Sequence, residues 1–106
     1  MQSQANTFQQ LLEGDLPVLV DFYADWCGPC KQMNPILEET SKLLGKKVKV
    51  IKVNVDRNSS AANKFQVRGI PTLILFHQGK ILWRHSGTLA TSQLVHLVEK
   101  NLIANH

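Results

Sequence analysis

Cys27 and Cys30, the two cysteines of the chain, lie three positions apart in the segment DWCGPCK at residues 25–31. Residues at this spacing share one side of the first turn of a helix, so the two sulfurs come within reach of a disulfide bond. The free amides and the dipole at a helix start favour a thiolate, and Lys31 adds positive charge one turn later. The spacing therefore predicts dithiol/disulfide exchange, in which Cys27 attacks a substrate disulfide and Cys30 releases the mixed disulfide.

The two residues between the cysteines fit a turn that leads into a helix. Gly28 is expected to let the chain turn tightly, and Pro29 suits the first turn, where its missing N–H costs no hydrogen bond. Two inert cysteines buried in a core would not need a Gly-Pro pair between them. The dipeptide therefore favours a reactive pair over a structural one.

A zinc site is the main alternative for this cysteine pair. Structural zinc takes four ligands, and one C-x-x-C motif supplies two of them. The histidines lack the H-x₃₋₅-H spacing that would complete such a site; they are His77, His85, His96 and His106. We therefore expect no metal, and no cofactor apart from a redox-active Cys27–Cys30 disulfide.

Apolar runs predict four strands. PVLVDFYA at residues 17–24 is near-continuous, as in a central strand covered on both faces, and VKVIKVNV at residues 48–55 is a second strong strand. The other two, TLILFH and KILWRH, flank Gln78-Gly79, a pair typical of a two-residue hairpin turn.

Apolar residues at helical spacing predict four helices. Their expected first residues or caps are Asn6 or Thr7, Cys27, Asn58 or Ser59, and Thr91 or Ser92. The first is expected to end near Gly14 and the second at Gly45.

These elements predict an α/β fold in a single domain over residues 1–106, with the order α-β-α-β-α-β-β-α. The helix between the first two strands makes them parallel, while the hairpin is antiparallel. The result is a mixed sheet with helices on both faces. Sites in such sheets lie at the carboxyl ends of the strands, and DWCGPCK directly follows the first strand.

Asp21 interrupts the apolar strand sequence VLVDFY. A buried charge is costly unless it is paired, so the functional interpretation is a carboxyl with a raised pKa beneath the cysteine loop, acting as proton acceptor for Cys30. The alternative is an aspartate that faces a polar end of the sheet or caps a neighbouring element. Lys52 favours the first interpretation, because it shares a strand face with Val48 and Val50, and its stem is expected to be buried towards a carboxylate.

The net charge of +4 is spread along the chain. Its densest run, GKKVKVIK at residues 45–52, falls on a predicted loop and strand without aromatic residues, which favours a solvated basic face over a nucleic-acid groove. MQSQANTFQQ at the start lacks the features of a secretory signal, and no apolar run approaches the about 20 residues that span a bilayer. We expect a cytoplasmic protein that binds neither nucleic acid nor membrane, although a periplasmic chain that had lost its leader would have the same pattern.

The segment VDFYADWCGPCK, followed by VRGIPTL at residues 67–73 and a glycine before the last helix, resembles the thioredoxin family. The resemblance extends from Phe8 to Leu102 and implies a thioredoxin fold with protein-disulfide reductase activity. It implies that Cys27 attacks, that Cys30 resolves, and that Asp21 and Lys52 are the family's buried carboxylate and its lysine partner.

The resemblance also implies a substrate-binding surface. Trp26 would lie beside the disulfide, and Pro71 would be a cis-proline opposite the cysteines. The backbone around Ile70 would pair with an extended substrate segment, and Gly87 would face the substrate. From the residues alone, Pro71 is a loop proline of the usual trans form and Gly87 an ordinary turn glycine.

Two features depart from the family pattern. Tyr23 stands where many members have tryptophan, a change that we expect to be tolerated. MQSQANT lacks the apolar alternation of the family's first edge strand, so that strand is expected to be missing or reduced.

The Gly-Pro dipeptide resembles the reducing members of the superfamily rather than isomerases or periplasmic oxidases, which carry Gly-His and Pro-His. The resemblance therefore implies a monomeric reductant of protein disulfides, recharged by an NADPH-dependent flavoprotein thioredoxin reductase. The alternatives are a non-enzymatic binding or assembly subunit with incidental thiols, and a periplasmic or membrane-tethered redox protein.

Overall fold

The computed structural model describes the backbone of residues 4–104 and the side chains of residues 8–104. The helices and strands follow the predicted order. They are α1 (Gln4–Glu13), β1 (Val18–Tyr23), α2 (Gly28–Leu44), β2 (Lys49–Asn54), α3 (Ser59–Lys64), β3 (Thr72–His77), β4 (Lys80–Ser86) and α4 (Thr91–Ala104). A short 3₁₀ turn at Gly45–Lys47 joins α2 to β2.

The four strands form one mixed sheet in the order β2-β1-β3-β4. β1 is parallel to β2 and β3 is antiparallel to β4, as predicted; β3 is also antiparallel to β1. Gln78 and Gly79 form the hairpin turn, with φ values of 53° and 80° that favour the two-residue primed turns. β1 thus lies inside the sheet, and its carboxyl end leads directly into α2.

Alternate residues of the central strands belong to two apolar layers, one on each face of the sheet. The α2/α4 layer holds Leu19, Leu73 and Leu75 from the sheet, together with Met33, Leu37, Leu94 and Val98 from the helices. The α1/α3 layer holds Val20, Phe22, Ile74 and Phe76, with Leu12 from α1. These side chains are almost fully covered. Burying each one contributes roughly 1.5–3 kcal/mol, so the two layers account for most of what holds the helices to the sheet.

The first helix differs from the prediction at its start. It already includes Gln4, so neither Asn6 nor Thr7 caps it, while its end before Gly14 is as predicted. Residues 4–7 belong to this helix and form no strand, and β2 lies at one edge of the sheet, paired with β1. The sequence predicts a missing or reduced edge strand in MQSQANT; residues 1–3 of that segment lie outside the described residues.

The last helix also begins earlier than the hydroxyl-cap prediction. Thr91 is its first residue, so neither Thr91 nor Ser92 caps it from outside. Instead, the backbone N–H of Ala90 donates to Oε1 of Gln93 at 3.0 Å. The Gln93 side chain thus reaches back three residues to the Ala90 amide, as the glutamine or glutamate of a capping box does. This contact places the cap at Ala90 and explains why the helix begins at Thr91.

No helix in the described part of the chain is long and apolar enough to cross a membrane.

Candidate active site

The two cysteines form a disulfide at the amino end of α2. Cys27 is the N-cap of this helix, and its Sγ accepts the backbone N–H of Cys30 at 3.1 Å. Their Cα atoms lie 5.3 Å apart, and both residues are almost covered. A backbone amide that donates to sulfur, at the positive end of a helix dipole, stabilises a thiolate once the disulfide is reduced. The predicted placement of the pair is confirmed, and the arrangement can carry out thiol–disulfide exchange.

Gly28 and Pro29 are the first two residues of α2. Pro29 sits in the first turn as predicted, but the tight-turn explanation for Gly28 is wrong. Its φ lies outside the left-handed region, and an added Cβ would meet no atom within 4 Å. Both residues are exposed, so they leave an open surface next to the disulfide.

Trp26 lies immediately before the disulfide and is 71% exposed. Its indole Nε1–H donates to Oδ2 of Asp56 at 2.9 Å. Asp56 is held in turn by its own backbone N–H, which donates to Oδ1 of Asn54 at 2.9 Å. Asp56 was not identified from the sequence, although its place just beyond β2, at the same edge of the sheet as the cysteines, was a usable signal.

The loop before β3 completes the site. Ile70 packs against the cluster that holds Cys27 and Cys30, and the Ile70–Pro71 peptide bond is cis, as the resemblance implied. Gly87 donates its backbone N–H to the carbonyl oxygen of Pro71 at 2.8 Å. Its φ of 106° suits glycine, so Gly87 is required by the backbone geometry that supports this loop.

Two further side chains hold the loop in place. The Thr72 hydroxyl donates to the carbonyl oxygen of Gly69. The Arg84 guanidinium donates to the carbonyl oxygens of Phe65 and Gln66, at 2.8 and 3.2 Å. Arg84 was not identified from the sequence, because a lone arginine on a hairpin strand gives no sign of which distant carbonyl groups it binds.

Asp21 lies on β1 within the α2/α4 layer and is completely buried. Neither carboxyl oxygen has a hydrogen-bond partner among the described residues. Burial raises the pKa of Asp21 to about 6, against the opposing effect of the Lys52 charge. The predicted burial of this carboxyl is therefore confirmed, and neither a polar sheet end nor a capping role fits a side chain without hydrogen-bond partners.

Lys52 lies directly opposite Asp21 on the neighbouring strand β2. It is exposed, because β2 forms the edge of the sheet, so the prediction of a buried stem is wrong. Its Nζ donates to Oδ1 of Asn34 at 2.6 Å and lies 4.3 Å from the centre of the Tyr23 ring. Asn34, which comes from α2 and accepts this hydrogen bond, was not identified from the sequence.

Within the described residues, no group of three or more histidine, cysteine, aspartate or glutamate side chains is arranged to hold a metal ion. The described histidines and the cysteine pair therefore do not come together as a zinc site.

The thioredoxin family model matches residues 1–100 of the chain. The chain is 43% identical to a thioredoxin of Pseudomonas aeruginosa over 100 residues, which cover 94% of this chain and 93% of that protein. It is 44% identical to a thioredoxin of Rickettsia conorii over 94 residues, covering 89% and 90%.

A chloroplastic thioredoxin Y of Oryza sativa is 46% identical over 98 residues, which cover 92% of this chain and 58% of that protein. The chain thus spans less than two thirds of this plant relative. Because the family model matches almost the whole of this chain, the chain belongs to the thioredoxin family.

Proposed function

We propose that this protein is a protein-disulfide reductant, a thiol-disulfide oxidoreductase that transfers two electrons from its Cys27/Cys30 dithiol to the disulfide of another protein. The observation that carries the proposal is the Cys27–Cys30 disulfide at the start of α2, with a backbone amide on the Cys27 sulfur. Membership of the thioredoxin family supports it.

The first step is attack by Cys27. In the reduced protein its thiolate, stabilised by the Cys30 amide and the helix dipole, attacks one sulfur of the substrate disulfide. A bond forms between this sulfur and Cys27 Sγ while the substrate disulfide breaks. One substrate sulfur leaves as a thiolate, and the other remains in a mixed disulfide with Cys27.

The second step is resolution by Cys30. Asp21 accepts the proton of the Cys30 thiol, and the Cys30 thiolate then attacks Cys27 Sγ. The internal disulfide forms, and the second substrate sulfur leaves as a thiolate. A buried carboxyl with a pKa of about 6 suits this transfer, because a general base works best when its pKa lies near the pH of the medium.

The substrate-binding surface surrounds the disulfide. Trp26 offers an exposed ring, and the open surface at Gly28 and Pro29 lets a substrate approach the sulfurs closely. The backbone around Ile70 and Pro71 would pair with an extended substrate segment as an added strand. Gly87 and the other loop contacts keep this backbone in position.

The partners and the location form part of the same proposal. We assign reduction of the protein to an NADPH-dependent flavoprotein thioredoxin reductase, with a ferredoxin-linked reductase as the second donor to test, because some relatives are chloroplastic. We assign the protein to the cytoplasm as a monomeric electron carrier that needs no added cofactor. Comparing the two reductases with the purified protein, and fractionating cells of the source organism, would test these assignments.

An insulin-disulfide assay with dithiothreitol tests the proposed reaction. We expect wild-type protein to accelerate precipitation of the reduced insulin chains, and the Cys27→Ser/Cys30→Ser variant to give only the rate of dithiothreitol alone. A wild-type rate no faster than that of the double variant would overturn the proposal, and would leave a binding role that does not need the thiols.

A further inference from the structure

We propose that Asn34 is a positioning residue that, together with Tyr23, holds the Lys52 ammonium near the Asp21 carboxyl and so tunes this carboxyl as a proton acceptor. The inference rests on the proposed function, because it concerns the group that we assign to the activation of Cys30. It concerns a contact between α2 and β2 that neither the motif nor the spacing of the cysteines predicts.

The contacts around Lys52 come from two elements. Asp21 and Lys52 are register partners on parallel strands, and such strands lie about 4.8 Å apart. Tyr23 follows Asp21 by two residues and therefore points to the same face of β1. Its ring contacts the ammonium from the strand side, while Asn34 accepts a hydrogen bond from the same ammonium on the side of α2.

These contacts restrain a side chain that would otherwise move freely. Lys52 is exposed on an edge strand, and a lysine carries its charge on a flexible four-carbon stem. The amide oxygen at 2.6 Å and the ring at 4.3 Å limit the ammonium to a position between β1 and α2. Without Asn34, the charge would spend more time in open solvent, away from β1.

The position of the Lys52 charge matters because no other contact among the described residues offsets the cost of burying the Asp21 carboxylate. Its carboxyl oxygens are buried and lack hydrogen-bond partners among the described residues. Burial raises the pKa of Asp21, and the Lys52 charge is what lowers it. Coulomb interactions weaken with distance and with exposure to water and salt, so a displaced ammonium would stabilise the carboxylate less.

Other titratable groups lie on the elements that form this face. They are Lys31, Glu38, Glu39 and Lys42 on α2, Lys49 on β2, His77 on β3, Lys80, Arg84 and His85 on β4, and His96, Glu99 and Lys100 on α4. Glu38 lines the same groove as Asn34 and Lys52. His85 is separated from Asp21 by Leu73, the residue of β3 that pairs with both. Within residues 8–104, Lys52 is the charge that acts on the pKa of Asp21.

The test is a carbon-detected NMR titration of the Asp21 carboxyl in the full-length oxidised protein, in which the two cysteines do not titrate. The variants are Asn34→Ala and Lys52→Met, with Ser41→Ala as the control, because Ser41 is also exposed on α2 and lines the same groove. We expect Lys52→Met to raise the pKa of Asp21, Asn34→Ala to raise it by part of that shift, and Ser41→Ala to leave it at the wild-type value.

The kinetic counterpart is the pH profile of mixed-disulfide release in the reduced protein. Its rising limb should move to higher pH in Asn34→Ala, by the same amount as the pKa of Asp21. An Asp21 pKa that is unchanged or lowered in Asn34→Ala would overturn the inference, as would one that does not respond to Lys52→Met. Because the titration needs no turnover, a shifted pKa in a protein that fails to reduce insulin would reject the proposed function and leave the role of Asn34 intact.

Discussion

The two layers that cover the sheet differ in the polar groups that they bury. In the α1/α3 layer, the buried hydroxyl of Thr72 is bonded to the Gly69 carbonyl and contacts Ser86. The α2/α4 layer buries the side chains of Asp21 and Thr40, which are the unpartnered buried polar side chains among the described residues. The two layers thus use similar apolar side chains, but one of them contains polar groups that the fold leaves unsatisfied.

The apolar side chains of both layers stabilise the fold, so the layers differ in the polar groups that one of them leaves without partners. An unsatisfied buried polar group costs about 1–3 kcal/mol, and a charged one costs more. Apolar residues at position 21 would remove that cost, so stability alone does not account for an aspartate. Its place on the strand that leads to Cys27 supports a catalytic reason instead.

The largest effect is expected at the cysteines. Cys27→Ser should abolish insulin reduction, because the remaining Cys30 lacks the amide contact that stabilises a thiolate at Cys27, and a single cysteine cannot close the internal disulfide. Cys30→Ser should also stop turnover, after a single attack that leaves a mixed disulfide. Both variants should keep the unfolding midpoint of reduced wild type within a few degrees, as circular dichroism melts can check. Turnover by Cys27→Ser above the background rate would contradict the assignment.

Ile74→Ala tests the purely apolar layer. Ile74 is completely buried in the α1/α3 layer, so removing its side chain should lower the free energy of unfolding by about 2–5 kcal/mol. The matched control is Ile103→Ala on α4, where the side chain is 78% exposed and a change within about 0.5 kcal/mol is expected. Urea melts measure both. Insulin turnover per folded molecule should stay at the wild-type value, and a large loss would show that this layer also serves the reaction.

Asp21→Asn tests the other layer and should act in the opposite direction. The folded pKa of about 6 lies above the ordinary value of 3.8, so the native protein holds this proton more tightly than the unfolded chain does. Stability therefore falls as the pH rises from 3.8 through 6, and the penalty is complete above that range. Removing the charge should raise stability at pH 8 by up to about 3 kcal/mol and change it little near pH 3.

The same variant should release mixed disulfides more slowly, because Cys30 loses its proton acceptor. Urea melts at the two pH values and a release assay give both results. A variant less stable than wild type at pH 8 would mean that Asp21 is a satisfied structural charge.

The smallest effect distinguishes the two tryptophans. Trp26 adjoins the disulfide, whereas Trp83 packs against the α2/α4 layer and stacks on His85. Reduction should therefore change mainly the emission of Trp26, so Trp83→Phe should keep most of the fluorescence change and Trp26→Phe should lose most of it. If Trp26→Phe kept the full fluorescence change on reduction, Trp26 would not be the indole that responds to the disulfide.

The order of the elements was predictable because it depends on local patterns. The apolar runs and the Gln78-Gly79 turn act within a few residues, and the aspartate within an apolar strand was visible as an anomaly. The start of α4 was not, because it depends on which side chain reaches the free amide of Ala90. The partners of Lys52 and Trp26 were also missed, because Asn34 and Asp56 meet them only after distant segments fold together.

Mass spectrometry of trapped mixed disulfides tests the central claim most directly. Each reduced single-cysteine variant, Cys30→Ser and Cys27→Ser, is mixed with a disulfide-linked peptide, quenched with acid and mapped after digestion. The account predicts a stable peptide adduct on Cys27 in Cys30→Ser and little adduct in Cys27→Ser, because the helix start and the Cys30 amide favour a thiolate at Cys27. Adducts that form faster through Cys30 would contradict the claim that Cys27 is the attacking residue.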